Sequence, residues 1–199
     1  SFDLPVVGLY SLNYSPDGKK IYLITSELVV TEEMAYLRVI DANDYKTLFK
    51  GRRIGSNPLE ISHNGKLLAC KGIDSQSLVV LETDLMKVVA VFTGNTHDLC
   101  FSPDDKQIVT NKGGRIDVYN IENKELLYSY YDGSSYIKVD MSPNGKYIIG
   151  NVVHEYLVLS GAPWYPSSVK EDKSVLNIQI IPNPIDNNLT LRFYVQKDD

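Results

Sequence analysis

Three histidines, His63, His97 and His154, are the chain's only imidazoles. A metal site needs several ligands converging at ~2.0–2.2 Å, and neither a CxxC nor a Cys/His spacing of the zinc type supplies them. Carboxylates are more plentiful: Glu32, Glu33, Asp41, Asp44, Asp104, Asp105 and Asp140 are candidates for an acid/base pair. Such a pair needs neighbours that split its pKa values, and none is visible beside them. Asp17, Asp104 and Asp105 read as turn residues, and Glu32-Glu33 as a solvated loop. There is no G-x-S-x-G elbow, no P-loop and no dinucleotide fingerprint, and Gly113-Gly114 reads as a hairpin turn. The expectation is no catalytic residue, no cofactor and no metal.

One set of residues is left for the fold to decide. Glu60, His97, Asp98, Arg115 and Asp140 would form an enzyme site if they met at one channel mouth, and dispersal would remove that reading. Cys70 and Cys100 lie in strand-like segments. They are either two buried thiols or a disulfide between neighbouring units, which only the Cα separation decides. Trp164 and Tyr165, between Pro163 and Pro166, are candidate surface aromatics; they either stack on a sugar or peptide or pin a linker to its neighbour.

These residues hang on a five-residue hairpin that occurs four times, at 15–19, 62–66, 102–106 and 142–146. The copies read Ser15-Pro16-Asp17-Gly18-Lys19, Ser62-His63-Asn64-Gly65-Lys66, Ser102-Pro103-Asp104-Asp105-Lys106 and Ser142-Pro143-Asn144-Gly145-Lys146. Their serines are 47, 40 and 40 residues apart. Pro presets φ at the second position, Asp or Asn tolerates the third, and Gly takes positive φ at the fourth. Asp105 stands where the other copies have Gly, at some cost. One such hairpin per forty residues, with β-rich flanks, predicts repeated four-stranded antiparallel blades.

The first strands share a pattern. Leu12/Tyr14, Leu59/Ile61, Leu99/Phe101 and Val139/Met141 occupy matching places, two apart, on one side of a pleat. Between them fall Asn13, Glu60, Cys100 and Asp140, which either line a channel or hydrogen-bond neighbouring blades. The first repeat is seven residues longer than the next two. The excess falls in 26–35, read as a loop whose Glu32, Glu33 and Met34 are a candidate contact surface. The fourth repeat lacks its fourth strand. Residues 2–7 would complete it in a closed ring of four. The favoured alternative is that the four repeats belong to a larger ring and that the chain is a piece of a longer precursor.

The bulk composition agrees with a folded, non-nucleic-acid-binding chain. Its 199 residues carry a net charge of −5, which argues against the basic stripe a nucleic-acid surface needs. Fourteen tyrosines suit half-buried strands. The apolar runs are too short for a membrane span.

Over residues 2–160 the repeat resembles the WD40-like and YVTN-type β-propeller families. The resemblance rests on the S-P-D-G-K hairpin and on strands of the L-x-V-I-D form, here Leu37-Arg38-Val39-Ile40-Asp41 and Ile116-Asp117-Val118-Tyr119-Asn120. No copy holds a Gly-His pair or a Trp-Asp dipeptide, so no WD40 hydrogen-bond network carries over. After a turn-rich linker, 161–174, the segment 175–199 looks like the opening of the β-sandwich sorting domain of type IX secretion cargo. Pro182-Asn183-Pro184 matches that family's corner, with Ile181 in the usual Tyr place, and Leu189, Leu191 and Phe193 match its L-x-L-x-F strand. The resemblances imply a secreted or cell-surface propeller, on the bacterial outer-membrane exterior, that engages the type IX machinery and binds a protein or glycan without catalysis. The alternative they imply is a lactonase-like hydrolase at the central channel.

Overall fold

The structure, a computed structural model, describes residues 7–29, 32–52, 56–72, 76–131, 133, 138–151, 156–160, 175–182 and 189–196. Every regular element among them is a strand. Blade one is a meander of β1 (Gly8–Tyr14), β2 (Lys20–Val29), β3 (Glu32–Asp41) and β4 (Thr47–Arg52). Blade two holds β5 (Ser56–Ile61), β6 (Leu67–Lys71), β7 (Ser77–Glu82) and β8 (Lys87–Thr93). Blade three holds β9 (Asp98–Phe101), β10 (Gln107–Asn111), β11 (Arg115–Asn120) and β12 (Leu126–Tyr131). Blade four has β13 (Lys138–Met141), β14 (Tyr147–Asn151) and β15 (Tyr156–Ser160), with no fourth hydrogen-bonded strand among the described residues. A separate ribbon pairs β16 (Val175–Pro182) with β17 (Leu189–Gln196).

The hairpin between the first and second strands of each blade is built alike because its serine anchors both sides of the turn. The Ser15, Ser62, Ser102 and Ser142 hydroxyls accept from the backbone N–H five residues on, at 2.8–2.9 Å. Each donates to the carboxylate or amide oxygen two residues on, at 2.6–3.0 Å. That oxygen in turn accepts the lysine N–H, which pins the turn a second time. The fourth position has positive φ in every copy: 71° at Gly18, 72° at Gly65, 58° at Asp105 and 72° at Gly145.

The blades stack in chain order, with β1 beside β5, β5 beside β9 and β9 beside β13. Three apolar cores lie between them. Tyr22, Ile24, Leu37 and Val39 of blade one meet Leu59, Leu68, Cys70 and Leu81 of blade two. Leu78, Val80 and Phe92 meet Leu99, Phe101 and Ile108; Val109, Ile116 and Val118 meet Val139, Met141 and Ile148. Strand alternation explains this, since successive residues of a second strand, such as Ile108 and Val109, serve the cores on opposite sides. Both cysteines are free and buried, in different cores, so the disulfide reading falls. Burial pushes the Cys70 thiol up to about 12.

Residues 26–29 and 32–35 are strand, not loop. β2 and β3 continue as a ladder from Ser26↔Ala35 to Val29↔Glu32, so Glu32 and Glu33 are strand positions and Met34 is a half-buried one. Polar side chains of β2, β3 and β4 build a face beside this ladder. Glu27 pairs with Arg38 and Lys50, Thr25 accepts from Arg38 Nε at 3.1 Å, and Lys50 lies over the Tyr36 ring. Val7 extends β1 by donating to the Ser26 carbonyl at 2.8 Å. Residues 2–6, His154, Trp164, Tyr165, Asn183, Pro184 and the linker 161–174 lie outside the described residues. Among the described residues no helix is long and apolar enough to cross a membrane.

Candidate functional site at the channel mouth

The first strands of three blades converge on a cavity of about 440 Å³. β5 brings Glu60, β9 brings Asp98, Leu99 and Cys100, and β13 brings Lys138, Val139 and Asp140; Ile149 and Asn151 of β14 complete the wall. The polar positions between the paired apolar ones therefore do both things foreseen for them. Glu60, Cys100 and Asp140 line the channel, and Asn13 ties blade one to blade two by donating to the Leu59 carbonyl (3.1 Å) and to Glu60 Oε2 (3.3 Å).

Charge in this cavity is unbalanced. Asp98 is buried and satisfied, since Oδ1 accepts from Lys138 Nζ and Oδ2 from the Val139 N–H, both at 2.9 Å. Among the described residues Asp140 accepts only from the neighbouring Met141 N–H, at 2.8 Å. Burial pushes the Glu60 carboxyl up; the Asn13 hydrogen bond pulls it back, and the charges of Asp98 and Asp140 push it up further. Burial first, then these same carboxylates, holds the Cys100 thiol well above its ordinary value, so no nucleophilic thiolate forms there.

Of the five residues whose convergence was to decide the matter, three meet and two do not. Glu60, Asp98 and Asp140 share the cavity. His97 is exposed beside Gly113, and Arg115 lies over the Tyr131 ring on blade three, outside the cavity lining. His63 projects from its hairpin and meets Asp105 at 2.9 Å. Among the described residues no three His, Cys, Asp or Glu converge as ligands for a metal. Sequence reading missed Lys138 and Asn151. The signal for Lys138 was present, because Asp98 and Lys138 occupy the same repeat position forty residues apart with opposite charge.

Stacked four-stranded meanders with their first strands around a channel make this a WD40-like β-propeller. Solved structures share the arrangement. Hydrazine synthase of Kuenenia stuttgartiensis matches over 80% of this chain and 47% of its own, with TM-score 0.62 and 18% identity. U3-55K matches over 80% and 50%, with TM-score 0.64 and 15% identity. The WD40 repeats of RRP9 match over 80% and 53%, with TM-score 0.57 and 14% identity. The chain spans about half the length of these structures, and at such identities the likeness is one of fold. No protein-family model matches the chain, and no curated protein does.

Proposed function

We propose that this chain is a non-catalytic binding scaffold whose recognition site is the acidic channel mouth. The observation that carries the reading is the convergence of Glu60, Asp98 and Asp140 from three successive blades on one cavity. Lys138 satisfies Asp98, which leaves Glu60 and Asp140 to meet a cation from outside. Leu99, Val139 and Ile149 offer apolar wall for the stem of a lysine or arginine side chain. A protein partner presenting such a residue fits the site better than a neutral glycan. With His97 and Arg115 elsewhere, the lactonase-like hydrolase has lost the two groups that would have joined the carboxylates.

The test is calorimetric titration with a short peptide holding one arginine between apolar residues, against its glutamine counterpart. Glu60→Gln and Asp140→Asn are each expected to weaken arginine-peptide binding roughly 10- to 100-fold, the worth of one charge-assisted hydrogen bond. Because the Glu60 carboxyl is raised, binding should fade on acidification at a higher pH than an ordinary glutamate would give. Equal affinity for both peptides would sink this reading.

The finer family reading, YVTN-type repeats with a type IX address, is supported by residue resemblance. In the β16–β17 ribbon Pro182, the first residue of the Pro-Asn-Pro corner, stands opposite Leu189. This reading makes the protein secreted or cell-surface, delivered by residues 175–199. In a host with the type IX machinery, the full chain should reach the medium or surface, and Leu191→Asp should leave it inside. Equal export of the two proteins would end the assignment.

A further inference from the structure

Val139, Met141 and Ile148 of blade four belong to the core shared with blade three, so the residues alternating with them face away from it. The register lays out that far face in rows. Lys138 stands opposite Asn151 and Asp140 opposite Ile149. Tyr147, whose carbonyl accepts from the Ser142 N–H at 2.9 Å, begins the row beyond. Lys138, Asp140, Ile149 and Asn151 all line the cavity, so this face is its continuation. Tyr147 and Ile149 are 42% and 39% exposed, and neither belongs to an inter-blade core. Val158, opposite Ile149 on the third strand, is 7% exposed. The open apolar strip therefore runs along β14, one strand wide, between the Asp140 carboxylate and the closed outer part of the blade. It is narrower than a blade and suits a single extended chain.

We infer that Tyr147 and Ile149 form a subsite for an apolar residue two places from the basic residue held at the cavity. The subsite rests on the recognition of a cation by Glu60 and Asp140 proposed above, and it defines the partner as an extended segment. In an extended chain, side chains two apart point the same way, about 6.5–7 Å from each other. The rows of the strip repeat at the same spacing, because Ile149 and Tyr147 are two residues apart on a strand. A guanidinium at Asp140 thus sets the next side chain on its side over Tyr147, whose ring packs against an aliphatic or aromatic group. In the other direction the next row holds Asn151 and Lys138. The Lys138 side chain is 72% exposed, and its ammonium sits on Asp98. A second basic residue on that side meets like charge. The partner chemistry is one basic residue with an apolar neighbour two places to one side and a non-basic one two places to the other.

The first test leaves the protein unaltered. Short glycine–serine peptides carrying one arginine are titrated calorimetrically, with phenylalanine or serine two places before or after it. In one of the two orders phenylalanine should tighten binding roughly 5- to 30-fold, the worth of partly burying such a ring. Lysine added two places to the opposite side should weaken it. In Tyr147→Ser the advantage of phenylalanine over serine should vanish, with circular dichroism confirming that the blades stay folded. Equal affinity for the phenylalanine and serine peptides in both orders would overturn the inference, as would an advantage untouched by Tyr147→Ser. Either result leaves arginine peptides ahead of their glutamine counterparts. Loss of that preference as well means that the recognition reading has failed and the subsite with it.

Discussion

Asp117→Ala is expected to cost about 3–5 kcal/mol, because it strands a cation inside the interface between blades two and three. Asp117 and Lys112 are both nearly enclosed, their side chains 4% and 11% exposed, with Oδ2 and Nζ 3.3 Å apart. Lys112 Nζ also donates to the Thr93 carbonyl of blade two (2.6 Å) and to the Tyr119 hydroxyl (2.5 Å). Asp117 further accepts from Ser129 Oγ at 2.6 Å and from the Tyr119 hydroxyl at 3.1 Å. Burial already lowers the Lys112 pKa, and Asp117 is the group that opposes the shift. Without it the folded-state pKa falls further below the unfolded one. The variant therefore carries its full penalty at neutral pH and regains stability as pH rises toward the ordinary lysine value. Urea denaturation at neutral and mildly alkaline pH would show both effects. Lys112→Met together with Asp117→Asn should cost less than the sum of the single changes, because the pair acts as one unit. Additive losses would mean that the two side chains are not coupled.

Asp105→Ala is expected to lower the melting temperature by about 6–12 °C, which corresponds to about 3 kcal/mol in a chain of this size. The residue occupies the left-handed position where the sister hairpins have glycine. It is kept there by what its carboxylate reaches in the preceding blade. Oδ1 accepts from the His63 N–H at 2.8 Å and meets His63 Nδ1 at 2.9 Å, while Oδ2 accepts from the Asn64 N–H at 2.8 Å. Charge-assisted bonds of this kind are worth about 1.5–3 kcal/mol each, more than the roughly 1–2 kcal/mol of left-handed strain. Alanine loses the bonds and keeps the strain. Glycine loses the bonds and relieves the strain, so Asp105→Gly should fall between alanine and wild type in a thermal melt. A glycine variant as stable as wild type would show that the clamp contributes nothing.

Much of the architecture was legible because turn chemistry is local. Ser, Asx and positive φ at fixed offsets specify one hairpin geometry, and four copies at a near-constant period specify stacked blades. The alternation in β5, β9 and β13 likewise marked which residues would face neighbours and which the channel. Contacts between blades were not legible. Asp105 read as a tolerated irregularity, since nothing within its own hairpin shows that the His63–Asn64 backbone lies against it. Residues 26–35 read as a loop because the first repeat is seven residues longer than the next two and the excess falls there. A longer ladder absorbs the same excess, and here Glu27 pairs with Arg38 and Lys50 across β2, β3 and β4. Of the channel residues, Glu60 and Asp140 could be picked out by position. The pairing of Asp98 with Lys138 required knowing that a forty-residue shift means adjacency.

Every junction between the described blades carries its own polar ties. Blades two and three are joined by the Asp105 clamp and by Lys112 reaching Thr93, blades one and two by Asn13, Tyr22 with Thr83 and Lys20 with Asp84, and blades three and four by Asp98. Where each unit touches only its neighbours, strength accumulates pair by pair instead of being spread over the whole. A lesion at one junction is therefore felt first by the two blades that share it, as one loosened stave opens the seam on either side before the barrel fails.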